Sequence, residues 1–169
     1  MPGDLTEQLL AGIDLAGQDL SGVDLNPRLA DLRHLDLAGA NLGRAKLRRA
    51  RLNGVDLRGA DLSNADLSHA DLYGANLAGA NLTRAKLNNA KLTGATLRHA
   101  IMGGASVYGA NLTKADLSFA DLSYANLYRT RMNFANLTGT NLGGADMTGA
   151  TLRNADLSGA IMPDGTIHD

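Results

Sequence analysis

Residues 60–82 read ADLSNADLSHADLYGANLAGANL, and this stretch decides the fold because it repeats one five-residue unit without interruption. Each unit consists of a small residue, an aspartate or asparagine, a leucine and two variable residues. The same step of five continues from Leu32 to Met162, always with an apolar residue in the third position, and nearly all of these units begin with alanine. A period this regular predicts a solenoid built from one repeated turn.

A period of five excludes a long helix and a long strand. Residues five apart on an α-helix are rotated by about 140° relative to one another, so the leucines would spread around the helix instead of forming one stripe. In a continuous strand, successive leucines would point to opposite faces because side chains alternate with a period of two. The backbone must therefore turn once per unit, with alanine and leucine pointing inward.

The fifth position of the unit has the composition of a turn. Glycine often occupies it, and asparagine or histidine also occurs there, as at Asn64, His69 and Asn89. These residue types tolerate a positive φ better than β-branched residues do. The sequence therefore predicts corners at the following glycines, among others: Gly54, Gly59, Gly74, Gly79, Gly94, Gly139, Gly149 and Gly159.

The A(D/N)LXX pattern resembles the tandem repeats of the pentapeptide-repeat family, and the resemblance extends from Ile13 to Ile167. It implies an all-β fold, a right-handed quadrilateral β-helix with four repeats and about twenty residues per coil. The number of sides does not follow from the residues themselves. A fifteen-residue coil would bring together about as many opposite charges as a twenty-residue coil.

The repeats predict a single solenoid domain over residues 13–169, preceded by a cap. Within residues 1–12, Asp4 and Glu7 have the spacing of a capping box and Gly12 follows as a stop, which predicts a short helix over the open end. The step from Leu25 to Leu32 is seven residues, so two extra residues lie within residues 26–29. Because this segment contains a proline, we expect a small outward loop there.

Composition favours a soluble protein without redox or metal chemistry. The 169 residues contain no cysteine and carry a net charge of −1, so we expect no metal, no cofactor and no strong attraction to nucleic acid. No apolar run is long enough for a membrane span, and no signal segment is recognisable. The expected location is the cytoplasm of a bacterium.

Charged residues cluster in residues 44–71. Arg44, Lys46, Arg48, Arg49 and Arg51 resemble a nucleic-acid or targeting segment when they are read linearly. In a twenty-residue coil, however, the next coil places an aspartate on every side, at residues 56, 61, 66 and 71. We therefore expect surface ion pairs between adjacent coils, each contributing less than about 1 kcal/mol.

Aromatic residues concentrate between residues 108 and 134 and form the candidate site. Tyr108 and Tyr128 are twenty residues apart and should stack in a four-sided coil, with Tyr124 at the preceding corner. Ile101 and Ile161 should point outward from a shared side. Exposed aromatic residues mark a partner surface when they form a patch and mean little when scattered. The candidate partner-binding residues are Tyr108, Phe119, Tyr124, Tyr128, Arg129 and Phe134.

The sequence contains no recognisable catalytic arrangement. A phosphate-binding loop, a cysteine and histidine metal motif and a serine nucleophile elbow are all missing from it. The four histidines are expected to be solvated corner residues: His34, His69, His99 and His168. We therefore predict no catalytic, cofactor-binding or metal-binding residue, and no enzyme activity.

The C-terminal segment AIMPDGTIHD, residues 160–169, resembles the ending of cyanobacterial members of the family. Pro163, Asp164 and Gly165 predict a turn, and Ile167 continues the step of five after Met162. The last coil is expected to be an open edge, so the protein is predicted to be a monomer or an end-to-end homodimer.

Three classes of function fit these features. The first is a non-enzymatic scaffold that binds an unknown protein partner through its outer faces. A variant of this class, implied by the C-terminal resemblance, is a regulator of a signalling or differentiation pathway. The second class, also implied by the family, is a DNA mimic that binds DNA gyrase and confers quinolone resistance, although the near-neutral charge and the absence of phenylalanine centres differ from that branch. The third is an enzyme or a small-molecule binder, which would need a pocket outside the filled interior.

Overall fold

A computed structural model describes residues 15–24, 32–33 and 35–169 of the chain. Across these residues the backbone forms isolated β-bridges at the second position of each repeat, and it forms neither a helix nor an extended strand within them. From Asp36 onward each parallel bridge joins residues 20 apart, such as Asp36 with Asp56. Since four five-residue repeats make up this distance, each coil has four sides. The four-sided prediction is confirmed, and the fifteen-residue coil is wrong.

Each side of the solenoid is defined by a column of bridged second-position residues. Side 1 contains Asp36, Asp56, Asn76, Thr96, Asp116, Asn136 and Asp156. Side 2 contains Asp19, Asn41, Asp61, Asn81, Ile101, Asp121, Asn141 and Ile161. Side 3 contains Asp24, Lys46, Asp66, Lys86, Ser106, Asn126 and Asp146. Side 4 contains Arg51, Asp71, Lys91, Asn111, Arg131 and Thr151. The fourth and fifth positions of each repeat form the corner that leads to the next side.

One coil is longer than the others. Asp19 pairs with Asn41 and Asp24 pairs with Lys46, so these bridges join residues 22 apart. The two additional residues therefore lie between Asp24 and Asn41 in the sequence. The predicted loop at residues 26–29, the predicted helical cap at residues 1–12 and His34 lie outside the described residues, and the domain boundaries stay a prediction.

Backbone hydrogen bonds connect each repeat to its own corner and to both neighbouring coils. At one corner the Ala45 N–H donates to the Leu42 carbonyl at 3.0 Å, which closes the turn. The Leu42 N–H donates to the Asp61 carbonyl of the next coil at 2.6 Å, and the Asp61 N–H donates back to the Ala40 carbonyl at 2.9 Å. Backbone groups that face along the solenoid axis are therefore paired, as buried polar groups require.

The interior is filled by the first and third positions of the repeats. Third-position side chains such as Leu77 and first-position alanines such as Ala80 are fully buried. Thr130 and Thr140 replace two of the alanines and are also buried, because Thr130 Oγ1 donates to the Val107 carbonyl at 2.9 Å and Thr140 Oγ1 donates to the Leu117 carbonyl at 2.8 Å. Burial of a hydroxyl is tolerated when it is hydrogen-bonded in this way.

The fifth position of the repeats has a positive φ whether or not it is glycine. The predicted glycine corners are confirmed, as at Gly79 with φ +66°. Asn64, His69 and Asn89 also have a positive φ, as expected. Larger residues adopt the same conformation, because Phe119, Tyr124 and Arg129 have φ of 58°, 57° and 56°. A left-handed conformation costs a non-glycine residue about 1–2 kcal/mol. The coil imposes this geometry, and the large side chains at the corners remain on the outer surface.

The C-terminal segment folds back on the last coil. The predicted turn is confirmed by a hydrogen bond from the Gly165 N–H to the Met162 carbonyl at 2.9 Å. Ile167 was expected to continue the repeat, but this prediction is wrong: it is 70% exposed and forms an antiparallel bridge with Ile161. The reversal covers the edge of side 2. On the preceding sides of the last coil, Met147, Leu152 and Leu157 are half-buried, because no later coil within the described residues covers them.

Candidate protein-binding surface

Second-position carboxylates and amides hold the backbone of their own repeats. Asp61 Oδ1 accepts a hydrogen bond from the Ser63 N–H at 2.9 Å, and Asn41 Oδ1 accepts one from the Gly43 N–H at 3.1 Å. Aspartate and asparagine perform this task equally well because each presents an acceptor oxygen two residues before the donor. The alternation of the two residue types in the sequence therefore reflects turn chemistry.

These contacts lower the pKa of several aspartates. The hydroxyl and backbone N–H of Thr148 lower the pKa of Asp146, and those of Ser158 do the same for Asp156. The guanidinium of Arg58 holds the pKa of Asp56 below its ordinary value. A hydrogen bond to the ionised form favours that form. The carboxylates at these corners are therefore charged at neutral pH and participate in the fold.

Ion pairs between coils are fewer than the sequence predicts. Lys46 Nζ lies 3.2 Å from Asp24 Oδ2, and Arg98 Nη1 lies 3.8 Å from Asp116 Oδ2. Two other stacked pairs of opposite charge behave differently. Within the described part of the chain, no ion pair within 4 Å joins Arg51 to Asp71 on side 4 or Asp66 to Lys86 on side 3. The expected ion pair is therefore missing at these two positions, although side 3 has the Lys46–Asp24 pair one coil earlier. The carboxylates face the donors of their own turns.

Tyr108 and Tyr128 form a stacked pair at the fourth position of side 3. Their ring centroids are 5.7 Å apart and the ring planes differ by 3°. Tyr108 is 38% exposed and Tyr128 is half-buried. The predicted stacking is confirmed, because residues twenty apart occupy the same position in successive coils. The two rings present a continuous aromatic edge to solvent.

Arg129 extends this pair around the corner between sides 3 and 4. Its guanidinium carbon lies 5.0 Å from the centroid of the Tyr128 ring, within the range of a cation–π interaction. Its stem also packs on the next coil, because a Cβ added to Gly149 would lie 3.3 Å from Arg129 Cγ. Arg129 is therefore held over Tyr128 by contacts on two coils.

Tyr124 lies at the opposite edge of side 3, at its corner with side 2. It is 78% exposed, and its ring packs against the next coil: a Cβ added to Gly144 would lie 2.7 Å from Tyr124 Cδ1 and Cε1. The glycine at position 144 thus makes room for the aromatic ring. Tyr124 and the stacked tyrosines border the same side, but no ring contact within the described residues joins them.

The other predicted aromatic residues lie on different corners. Phe119 occupies the corner between sides 1 and 2, where it stacks on His99 with ring centroids 5.3 Å apart. Phe134 occupies the corner between sides 4 and 1 and is 51% exposed. The structure thus separates these two from the tyrosine pair. The sequence analysis missed Tyr73, which is 62% exposed at the fourth position of side 4. Its position in the repeat, the same as that of Tyr108, could have predicted this exposure.

Depressions on the surface are open. One of about 360 Å³ is lined by Ser21, Gly22, Gly43, Arg44, Ser63 and Asn64. Another of about 130 Å³ is lined by Asp24, Lys46, Arg48 and Asp66. In the described residues there is no group of three or more side chains with metal-ligating chemistry. None of the described segments forms a helix of the length and apolarity needed to cross a membrane.

A regular four-sided coil with a filled apolar interior and variable polar and aromatic side chains on its outer surface defines a β-helix solenoid. The family model for pentapeptide repeats matches eight copies in this chain, over residues 28–64, 60–98, 90–127 and 125–163. The chain belongs to the pentapeptide-repeat family, whose solved members imply a right-handed β-helix. No curated protein sequence shows significant similarity to it.

Two solved structures illustrate the relationship. HetL, described as a pentapeptide-repeat protein involved in the regulation of heterocyst differentiation in the cyanobacterium Nostoc sp. strain PCC 7120, is 33% identical; the match covers 93% of this chain and 90% of HetL with a TM-score of 0.50. Full-length QnrB1, a plasmid-mediated fluoroquinolone resistance protein, is 20% identical over 87% of this chain and 85% of QnrB1, with a TM-score of 0.55. The QnrB1 match supports the fold alone.

Proposed function

We propose that this protein is a non-enzymatic scaffold that binds a protein partner through its outer faces, with Tyr108, Tyr128 and Arg129 at the centre of the binding surface. The observation that carries the proposal is the stacked tyrosine pair covered by Arg129. Tyrosine and arginine are the residue types that dominate the energetics of protein interfaces.

The solenoid supports this proposal because it holds these side chains in fixed positions. Tyr108 and Tyr128 are positioned by the backbone hydrogen bonds of consecutive coils, including the Gly109 N–H to the Tyr128 carbonyl at 3.0 Å. Side chains that are ordered before binding lose less conformational entropy when a partner arrives. Tyr124, at the other edge of side 3, extends the proposed surface across that side.

A regulatory role in a signalling or differentiation pathway is the second candidate. It is supported by the 33% identity to HetL over 93% of this chain. A regulatory role is compatible with the scaffold proposal, since a scaffold can regulate a pathway by binding one of its proteins. For the gyrase hypothesis, the 20% identity to QnrB1 adds no support beyond the shared fold.

The location and oligomeric state belong to the same proposal. We place the protein in the bacterial cytoplasm, as a monomer or an end-to-end homodimer formed at the last coil. The half-buried Met147, Leu152 and Leu157 are the residues that such a dimer would cover. Light scattering on the purified protein measures the mass directly, and substitution of Leu152 by aspartate should convert any dimer into a monomer.

A capture experiment tests the proposed surface. Tagged wild-type protein and the double variant Tyr108→Ala/Tyr128→Ala are used to recover partners from a lysate of the source organism. The double variant should lose a partner that the wild type recovers. Phe119→Ala is the matched control, because Phe119 also belongs to an exposed ring stack but lies at the diagonally opposite corner. Equal recovery by wild type and double variant, with unchanged thermal midpoints, would remove the tyrosine pair from the proposal.

A further inference from the structure

Half of the chain's cationic side chains lie along one edge of the solenoid. These residues lie on side 4 and at the two corners that flank it, which side 4 shares with side 3 and with side 1. From residue 48 onward these positions carry the group that we name the basic ridge, eight of the 16 lysines and arginines in the chain: Arg48, Arg49, Arg51, Lys91, Lys114, Arg129, Arg131 and Arg153. All are exposed, and among the described residues at these positions Asp71 is the only acid. The net charge of −1 thus conceals a strongly uneven distribution.

The described residues supply few counter-ions to the basic ridge: Asp71 lies in the column of side 4, and Asp66 interacts electrostatically with Arg48. Elsewhere, Lys46, Arg58 and Arg98 each have a carboxylate within 4 Å. Within the described part of the chain, none of the basic-ridge residues has such an ion pair, and Arg129 is instead placed over Tyr128. A cluster of cations with few counter-ions creates a local positive potential that attracts and orients an anionic partner.

The spacing of these cations fits a protein segment. Arg51, Lys91 and Arg131 occupy the same column of side 4 and are two coils apart, with Asp71 and Asn111 in the coils between them. Adjacent coils pair like neighbouring strands, so this separation is about 9.6 Å. A polyproline II segment advances about 9.3 Å in three residues, which brings every third side chain back to the same face. An acidic residue at every third position therefore matches the column.

A nucleic acid fits this surface less well. Each strand of a B-DNA duplex carries a phosphate about every 3.4 Å along the duplex axis, far more densely than the cations of side 4, and Asp71 interrupts their column. Binding of single strands also relies on free aromatic faces for base stacking. Here Tyr108 and Tyr128 stack on each other and Arg129 lies over Tyr128, so these rings offer their edges and hydroxyls. Tyr73, 62% exposed beside side 4, is a single ring and not a series on which successive bases could stack.

We infer that the basic ridge binds an acidic segment of a protein partner in an extended, polyproline II conformation that runs along the solenoid axis. Carboxylates at every third residue face Arg51, Lys91 and Arg131, and the intervening side chains contact the adjoining Tyr108 and Tyr128. The inference rests on the proposed function, since it specifies the chemistry of the partner at the same edge of the molecule.

A labelled peptide of repeated Glu-Pro-Pro provides the test, by fluorescence anisotropy at low salt. The wild-type protein should bind it, and binding should weaken as salt screens the contacts. Lys91→Glu should reduce the affinity by about tenfold or more, as expected for the reversal of one charge in a direct ionic contact. Lys86→Glu is the matched control, because it changes the same residue type at the same repeat position on side 3 and should alter the affinity by less than about twofold.

A second peptide of the same composition, with all glutamates at one end, tests the spacing and should bind more weakly. The inference would be overturned if Lys91→Glu and Lys86→Glu changed the peptide affinity equally, or if both peptides bound with equal affinity. Tighter binding of a single-stranded oligonucleotide than of the peptide, at the same salt concentration, would also overturn it. Loss of the captured partner by Tyr108→Ala/Tyr128→Ala without any binding of the peptide would reject the acidic segment and leave the proposed function intact. Binding of the peptide with unchanged partner capture would retain the ridge and reject the tyrosine surface.

Discussion

The interior and the outer surface of this solenoid share one five-residue period but differ in how closely each repeat resembles the next. Inside, Leu77 and Leu97 occupy equivalent and fully buried positions. Outside, the corresponding fifth positions hold Gly79 in one coil and His99 in the next, although both have a positive φ. The inward positions therefore specify the fold, whereas the outward positions tolerate different residues. Changes to the interior should therefore affect stability, and changes to the surface should affect binding.

The largest expected effect comes from the interior. Leu77→Ala removes a side chain that is fully buried among neighbouring coils and leaves a cavity there. We expect a loss of about 2–5 kcal/mol in the free energy of unfolding, measured by urea denaturation. Leu157→Ala in the last coil is the control and should cost less, because Leu157 is only half-buried. Equal losses at the two positions would contradict the idea that stacking on both sides stabilises each coil.

The next effect tests the contact between a corner aromatic residue and the following coil. Gly139→Ala places a Cβ 2.7 Å from Cδ1 and Cε1 of Phe119, which is too close for an ordinary contact. The substitution also places a non-glycine residue at a positive φ, which costs about 1–2 kcal/mol. Gly79→Ala has the same backbone cost, but nothing lies within 4 Å of its Cβ. We therefore expect Gly139→Ala to lower the urea midpoint more than Gly79→Ala.

A double-mutant cycle isolates the ring contact. In a Phe119→Ala background, Gly139→Ala should cost no more than Gly79→Ala, because the ring is gone. An unchanged cost of Gly139→Ala in that background would show that the ring does not restrict position 139.

The smallest expected effect is the dependence of stability on pH. The pKa values of Asp146 and Asp156 are lowered in the folded protein by hydrogen bonds from Thr148 and Ser158. A group whose pKa is lower in the folded state stabilises it above the unfolded pKa, and this contribution disappears as the pH falls through the folded pKa. The thermal midpoint should thus be constant from neutral pH to about pH 5 and decrease below about pH 4.

Asp156→Asn provides the control for this prediction. Asparagine supplies the same acceptor without titrating, as Asn136 does one coil earlier, where its Oδ1 accepts the Thr138 N–H at 3.0 Å. The variant should lose less stability on acidification than the wild type. An identical acid dependence of the two proteins would show that Asp156 does not contribute to it.

Most of the fold was predictable from the sequence because the period of five restricts the backbone so strongly. The inward leucines, the glycine corners and the stacking of Tyr108 on Tyr128 all follow from the repeat and from a twenty-residue coil. The reversal at Ile167 was not predictable, because the step of five continues in the sequence while the chain turns back at Gly165. A periodic pattern reports which residues are equivalent only as long as the coil continues.

The candidate site was less predictable than the fold. The repeat placed Tyr108, Phe119, Tyr124 and Phe134 on the outer surface, but Tyr73 was missed. The placement of Arg129 over Tyr128 depends on side-chain packing that the repeat does not encode. The charge pattern was also misleading in the sequence. Asp66 and Lys86 alternate in one column, yet the Asp66 carboxylate accepts the Ser68 N–H of its own turn at 3.0 Å. Local hydrogen bonds to the backbone compete with ion pairs between coils.

Photo-crosslinking in the native cell tests most directly whether the function resides on the edge between sides 3 and 4. A photoreactive phenylalanine analogue is incorporated at position 128 in one version of the protein and at position 119, on the opposite corner, in another. A crosslink to a partner protein from position 128 and none from position 119 is the predicted result. A crosslink from position 119 alone, or none from position 128 in a correctly folded protein, would contradict the account.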